Sequence, residues 1–219
     1  MQKAAKALVD QLAKLVKTDG DVYISMVPFA KDVNLGTSYK DATWIDWDFW
    51  SDQNPTWGTC SQANKTTKSS CQSAGKIWTP DKSKWTGCVT DRTQNYDITN
   101  AEPTSTNAPT MVVPEEYVTK DWYGNVTEQY CKSTNNPYMG PILPLTYNWT
   151  TLKDAIDKLQ PTGNTNQGIG LAWGWLTLGV GKAPFNAPAK DTDNYDYTDA
   201  IVLLSDGLNT QNRWTSDPE

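Results

Sequence analysis

Between Asn34 and Tyr147 the chain carries no sustained hydrophobic period, neither the helical one nor the alternation of a strand. The stretch is built from Ser, Thr, Asn and Pro, studded with Trp44, Trp47, Trp50, Trp57, Trp78, Trp85 and Trp122. A structureless loop of that length does not fit a compact domain, so 34–147 is read as an inserted subdomain of short strands and turns, its fold left open. Cys60, Cys71, Cys88 and Cys131 all fall inside it. With so few aliphatic residues to form a core, covalent staples are the favoured reading over free or metal-binding thiols, and no C-x-x-C pair is present. Four cysteines allow three pairings, among which the sequence does not choose. Disulfides imply an oxidising compartment.

The flanks, 1–33 and 148–219, are regular. From Gln2 to about Lys17, Ala5, Leu8, Val9, Leu12, Leu15 and Val16 recur at helical spacing, and Asp19-Gly20 ends the pattern. Val22 to Ala30 reads as a strand stopped by Pro28. Thr151-Leu-Lys-Asp154 is a capping box opening a helix whose face is Leu152, Ala155, Ile156 and Leu159. A second helix runs from near Thr165 through Ile169, Ala172, Trp173 and Leu176, with Gly168, Gly170 and Gly174 permitting close packing. Asp199 to Gly207 encloses the aliphatic run Ile201-Val-Leu-Leu204, the pattern of a parallel strand buried on both faces. Helices alternating with strands predict an α/β fold, a partial doubly wound parallel sheet carrying a large disulfide-stapled, Trp-rich insertion.

Composition narrows the chemistry. The chain has no His, which removes the commonest general base and the commonest zinc ligand, so any bound metal must take oxygen or thiolate ligands. A net charge of -6 argues against a nucleic-acid partner. Acidic pairs such as Asp46 with Asp48, or Asp193 with Asp196, lie in polar loops where carboxylates are ordinarily solvated, and no catalytic residue is assigned. The opening apolar stretch is interrupted by Lys3, Lys6, Asp10, Lys14 and Lys17, so it is neither a signal peptide nor a membrane span. An exported chain without a leader leads to the expectation that the true N-terminus lies upstream.

Ligands of open α/β sheets sit beyond the carboxyl ends of the strands, where Asp206 falls. Asp206-Gly207 also suits a turn, and Thr165 suits an N-cap. Taken together, Gly163-Asn-Thr165-Asn-Gln-Gly-Ile-Gly-Leu171 and Ile201-Val-Leu-Leu-Ser-Asp206-Gly207 resemble the second half of a von Willebrand factor type A domain. Asp21-Val-Tyr-Ile-Ser-Met-Val-Pro-Phe29, Trp44-Ile-Asp-Trp47, Trp85-Thr-Gly-Cys-Val-Thr-Asp-Arg92 and Leu204-Ser-Asp-Gly-Leu-Asn-Thr-Gln-Asn-Arg-Trp214 are similar to the TadG-like branch, associated with tight-adherence (Flp) pilus assembly in bacteria. The resemblance implies a non-enzymatic adhesion or pilus-associated module of the bacterial cell envelope, periplasmic or extracellular. Its partner would be a protein of the pilus or envelope, and its membrane anchor would lie upstream.

It further implies a metal-ion-dependent adhesion site holding Mg²⁺ (or Ca²⁺), with Thr165 and Asp206 as ligands. The family's Asp-x-Ser-x-Ser motif does not occur in the 219 residues. The expectation is therefore a domain truncated at both ends, with its remaining ligands upstream and no tight binding of the cation by these residues alone. The alternative is carbohydrate binding, since exposed Trp and Tyr faces stack on sugar rings; against it stands a structural role for the same aromatics as a small core. Whichever holds, the insertion is expected to be the part most able to act alone.

Overall fold

The structure, a computed structural model, describes residues 1–115, 118–120, 122–123, 126–129, 139–161, 164–205 and 207–214, with 118–120 and 126–129 described by their backbone. Gly163, Cys131 and Asp206 lie outside the described residues.

The fold is mixed α/β. In chain order its elements are α1 (Gln2–Ala13), β1 (Ile24–Met26), β2 (Val33–Asn34), α2 (Trp47–Gln53), β3 (Gly58–Cys60), α3 (Lys68–Ser73), β4 (Trp78–Pro80), β5 (Cys88–Thr90), β6 (Val113–Pro114), β7 (Val118–Lys120), β8 (Val126–Gln129), β9 (Leu143–Thr146), α4 (Trp149–Lys158) and α5 (Gln167–Leu176). No helix among the described residues is long and apolar enough to cross a membrane.

Helix α1 is shorter than its periodicity predicts. Its last turn tightens, Lys14 and Leu15 donating to the carbonyls of Gln11 and Leu12, and the Asp21 carboxylate then takes the N–H groups of Lys17 and Thr18 at 2.9 Å each. Val9 packs with Leu152 and Ile156 of α4, and Ala5, Ile24, Met26, Leu143 and Trp149 close this small core. Asn148, rather than Thr151, caps α4: its Oδ1 accepts the Thr151 N–H at 2.9 Å, so the helix starts before the expected capping box. Such a cap contributes about 1 kcal/mol.

Strand β1 pairs antiparallel with β9, Ile24 facing Thr146 and Met26 facing Leu143. Strand β9 falls within the stretch that showed no periodicity, so the chain leaves the α/β part after β1 and rejoins it at β9. Between them, β2, β5 and β6 form an antiparallel sheet in the order β2-β5-β6, β3 pairs with β4, and β7 pairs with β8. A disulfide between Cys60 and Cys71 ties β3 to α3. Cys88 is also disulfide-bonded. These bonds fit an oxidising compartment.

The main core joins the insertion to α5. Val33, Leu35, Ile45, Trp50, Trp85, Val89, Val112 and Ile142 are buried in one cluster with Ile169, Trp173 and Leu176. Gly170 makes this approach possible, because a Cβ there would stand 2.7 Å from the Phe29 ring. Helix α5 thus supplies one wall of the core beneath the insertion.

The parallel sheet expected from the sequence is not seen among the described residues. Every strand ladder there is antiparallel, and parallel pairing is confined to the isolated bridges Ile45–Val112 and Val180–Ala187. Ile201 to Leu204 forms no strand, and its side chains are exposed, Val202 at 61 %. The physical reason is that burial on two faces needs neighbouring strands and covering helices. Here the segment leans on α5 through Ile201, next to Gly174.

Candidate functional site

The two sequence segments that suggested a ligand site meet in the structure. The Thr165 N–H donates to the Thr210 hydroxyl at 2.8 Å, and the Thr165 carbonyl accepts from the N–H groups of Thr210 (2.8 Å) and Gln211 (3.3 Å). Gln167 N–H donates to Asn209 Oδ1 at 2.9 Å, and its side-chain amide reaches the Gly207 carbonyl at 3.1 Å. Asn164 donates its amide to Gln211 Oε1. The residues on either side of Asp206 are therefore stitched to the loop that carries Thr165, whereas Asp206 itself lies outside the described residues.

Thr165 is half-buried and does not cap α5. That task falls to its neighbour Asn166, whose Oδ1 accepts the Ile169 N–H at 3.1 Å. The other side-chain oxygens brought to this loop, from Ser205, Asn209 and Thr210, are neutral and already engaged in hydrogen bonds. Among the described residues no group of three or more Asp, Glu or Cys side chains is placed to hold a metal ion. One Thr hydroxyl and engaged neutral oxygens do not replace the hydration shell of a hard cation, so the described residues alone do not fit Mg²⁺ or Ca²⁺.

Beneath this loop lies a buried polar junction that sequence reasoning missed. Asp91 Oδ2 accepts from Asn166 Nδ2 at 2.8 Å and from the Arg213 N–H at 3.0 Å, while the Asp91 carbonyl accepts from Arg213 Nη1 at 2.9 Å. One carboxylate of the insertion thereby holds both segments of the candidate site. Burial raises the Asp91 pKa above the ordinary carboxylate value, against the lowering effect of these hydrogen bonds. The Arg213 guanidinium lies over Phe49 and Trp214, 4.8 and 4.7 Å from the ring centres. Arg92 is pinned by carbonyls, Nη1 to Ala101 at 2.7 Å and Nη2 to Thr99 at 2.6 Å, and burial lowers its pKa to about 10. The available signal was an adjacent Asp91-Arg92 pair closing the short Cys-Val-Thr run, since charges at the end of a buried strand need partners.

The tight turn Phe29–Val33 completes the junction. Asn166 donates its N–H to the Ala30 carbonyl at 2.8 Å and its amide to the Lys31 carbonyl at 3.3 Å. Asp32, on the same turn, is 2 % exposed, and its Oδ1 has no hydrogen-bond partner of good geometry; the same holds for the buried Thr90 Oγ1. Desolvation, helped by the charges of Glu115 and Asp91 and opposed by Lys31 and the nearby Thr90 hydroxyl, pushes the Asp32 carboxyl up to about 7. Lys31 in turn pairs with Glu115 at 2.9 Å.

The insertion's indoles mostly face inward. Trp50 and Trp85 are buried, and Trp44, Trp47 and Trp57 pack partly buried around them. Lys82 and Lys84 cover Trp47 and Trp57 at 4.9 and 5.4 Å. Trp122 and Tyr123, between β7 and β8, are the exception at 96 % and 86 % exposed. Of the acidic pairs, Asp46 caps α2 through the Phe49 N–H, the Asp48 carboxylate is solvent-exposed 3.4 Å from the Lys68 ammonium, and Asp193 and Asp196 are exposed. Compared with protein-family models, curated proteins and solved structures, the chain matches none.

Proposed function

We propose that this chain belongs to a non-enzymatic adhesion or pilus-assembly-associated binding module of the bacterial cell envelope, related to von Willebrand factor type A domains of the TadG-like kind. The single observation that supports the reading is the stitching of the Thr165 loop to residues 207–211, which gathers on one edge the two segments from which such a site takes its Thr and its last Asp. The cation would be Mg²⁺ (or Ca²⁺). Thr165 and Asp206 would hold it once an Asp-x-Ser-x-Ser strand is present, and the ion would offer an open position to a carboxylate of a protein partner in the pilus or envelope. The disulfides favour a periplasmic or extracellular setting.

The test is a thermal melt with and without Mg²⁺, on this chain and on a version with an Asp-x-Ser-x-Ser strand joined ahead of Gln2. The expected result is stabilisation in the extended version alone, abolished by Asp206→Ala. Absence of stabilisation in both versions would overturn the cation-site reading.

A second reading, carbohydrate binding, is favoured by the exposure of Trp122 and Tyr123 alone, because the remaining insertion indoles are largely committed to the core or covered by lysines. Glycan-dependent fluorescence quenching that disappears in Trp122→Ala would support it. Quenching unchanged by that substitution would remove it.

A further inference from the structure

The turn Phe29–Val33 is where the chain passes from the α/β part into the insertion, and it touches both. Its Ala30 and Lys31 carbonyls hold Asn166, the cap of α5, while Val33 pairs with Val89 of β5. Asp32, on this turn, is buried against Thr90 and Asp91 at the end of β5. Its Oδ1 and the hydroxyl of Thr90 are both buried without a good partner.

A buried carboxylate whose one neighbouring donor, the Thr90 hydroxyl, is poorly aimed at it is costly when ionised and is satisfied more cheaply by a proton. The local charges lead to the same conclusion. The groups that face Asp32 are Glu115 and Asp91, both acidic, and Lys31, with the Arg213 guanidinium adjoining Asp91 and Glu115. Among the groups that act on Asp32 itself, ionising it sets three carboxylates, Asp32, Glu115 and Asp91, against the single ammonium of Lys31. With Asp32 protonated, one negative charge is removed from that set and the acid O–H becomes a donor.

We infer that Asp32 is a proton-operated latch at the root of the insertion: protonated, it lets the turn, β5 and the Asn166 loop close together; ionised, it loosens that junction. The inference is independent of the cation-site reading, because it needs only the turn and its neighbours. A module built this way would hold its insertion and its Thr165 edge in fixed register in acid surroundings and release that register as the pH rises.

The sign follows from linkage. A carboxyl whose folded-state pKa lies above its unfolded value contributes stability that is full below the unfolded pKa and is lost as the pH rises through the folded one. For Asp32 that window runs from the ordinary carboxylate value of 3.8 to about 7. Asp91 shifts in the same direction, so the informative quantity is the difference between the wild-type chain and Asp32→Asn.

The experiment is a set of thermal melts of the wild type and Asp32→Asn from about pH 5 to about pH 8, with amide hydrogen exchange at Asn166 and Arg213. The wild-type midpoint is expected to fall by at least roughly 5 °C more than that of the variant across this range. Exchange at the two amides should accelerate with pH beyond its intrinsic rate in the wild type only. Parallel pH profiles would overturn the latch. Glu115→Gln decides the matter if Asp32→Asn does not fold: removing that negative charge and freeing Lys31 for Asp32 should move the wild-type transition to lower pH, and an unmoved transition would overturn the proposal.

Discussion

Strand β5 and the segment Ile201–Leu204 invert what their sequences suggest. Cys88-Val-Thr90 is short, half polar and set among turn residues, yet it is fully buried and pairs on both edges, with β2 and with β6. Ile-Val-Leu-Leu is the most aliphatic run in the chain, yet its side chains are exposed and it pairs with nothing described. The difference teaches that burial belongs to the arrangement of neighbours. Apolar character makes burial favourable, but strand pairing has to supply the surface against which it happens.

Three substitutions would sharpen or break the contrast. Trp50→Ala, on the buried face of α2 beside Trp57 and Trp47, is expected to cost about 3–5 kcal/mol in denaturant unfolding. A cost under about 1 kcal/mol would show that the aromatic core is loosely packed in solution. Asp91→Ala removes the acceptor shared by Asn166 and Arg213, and is expected to cost about 1–3 kcal/mol with faster amide exchange at Arg213. Unaltered exchange there would separate the junction from the candidate site. Val202→Thr, on the exposed run, is expected to change stability by no more than about 0.5 kcal/mol while lowering any concentration-dependent association. A loss as large as that of a core valine would mean that the run finds a partner in solution, and the comparison would collapse.

The same contrast marks what was legible in the sequence. Helices α1, α4 and α5 showed themselves because ten or more residues display a 3.6-residue period, although α1 ends sooner than that period, α4 is capped by Asn148 ahead of the expected Thr151, and α5 is capped by Asn166 beside the expected Thr165. Oxidised cysteines were legible from composition; the Cys60–Cys71 pairing was not. The sheet β2-β5-β6 left no trace because strands of two or three residues cannot display a period, and their partners, Val33 with Val89 and Val89 with Pro114, are far apart in sequence. The polar junction was hidden for a related reason. Asp91, Asn166 and Arg213 each look like an ordinary loop residue until the fold brings them within hydrogen-bond distance. Of the candidate ligands, Thr165 was legible as a loop residue before a helix, and the proximity of residues 207–211 to it was suggested by resemblance rather than by local pattern.

Helix α5 carries its own consequence. Ile169, Trp173 and Leu176 are the floor on which the insertion stands, and Gly170 admits the ring of Phe29. An insertion anchored in this way is not a cassette. Among descendants of such a chain, changes in the Trp-rich region should be inherited together with changes along one face of α5, and a graft onto another scaffold should succeed only when that helix is transplanted with it.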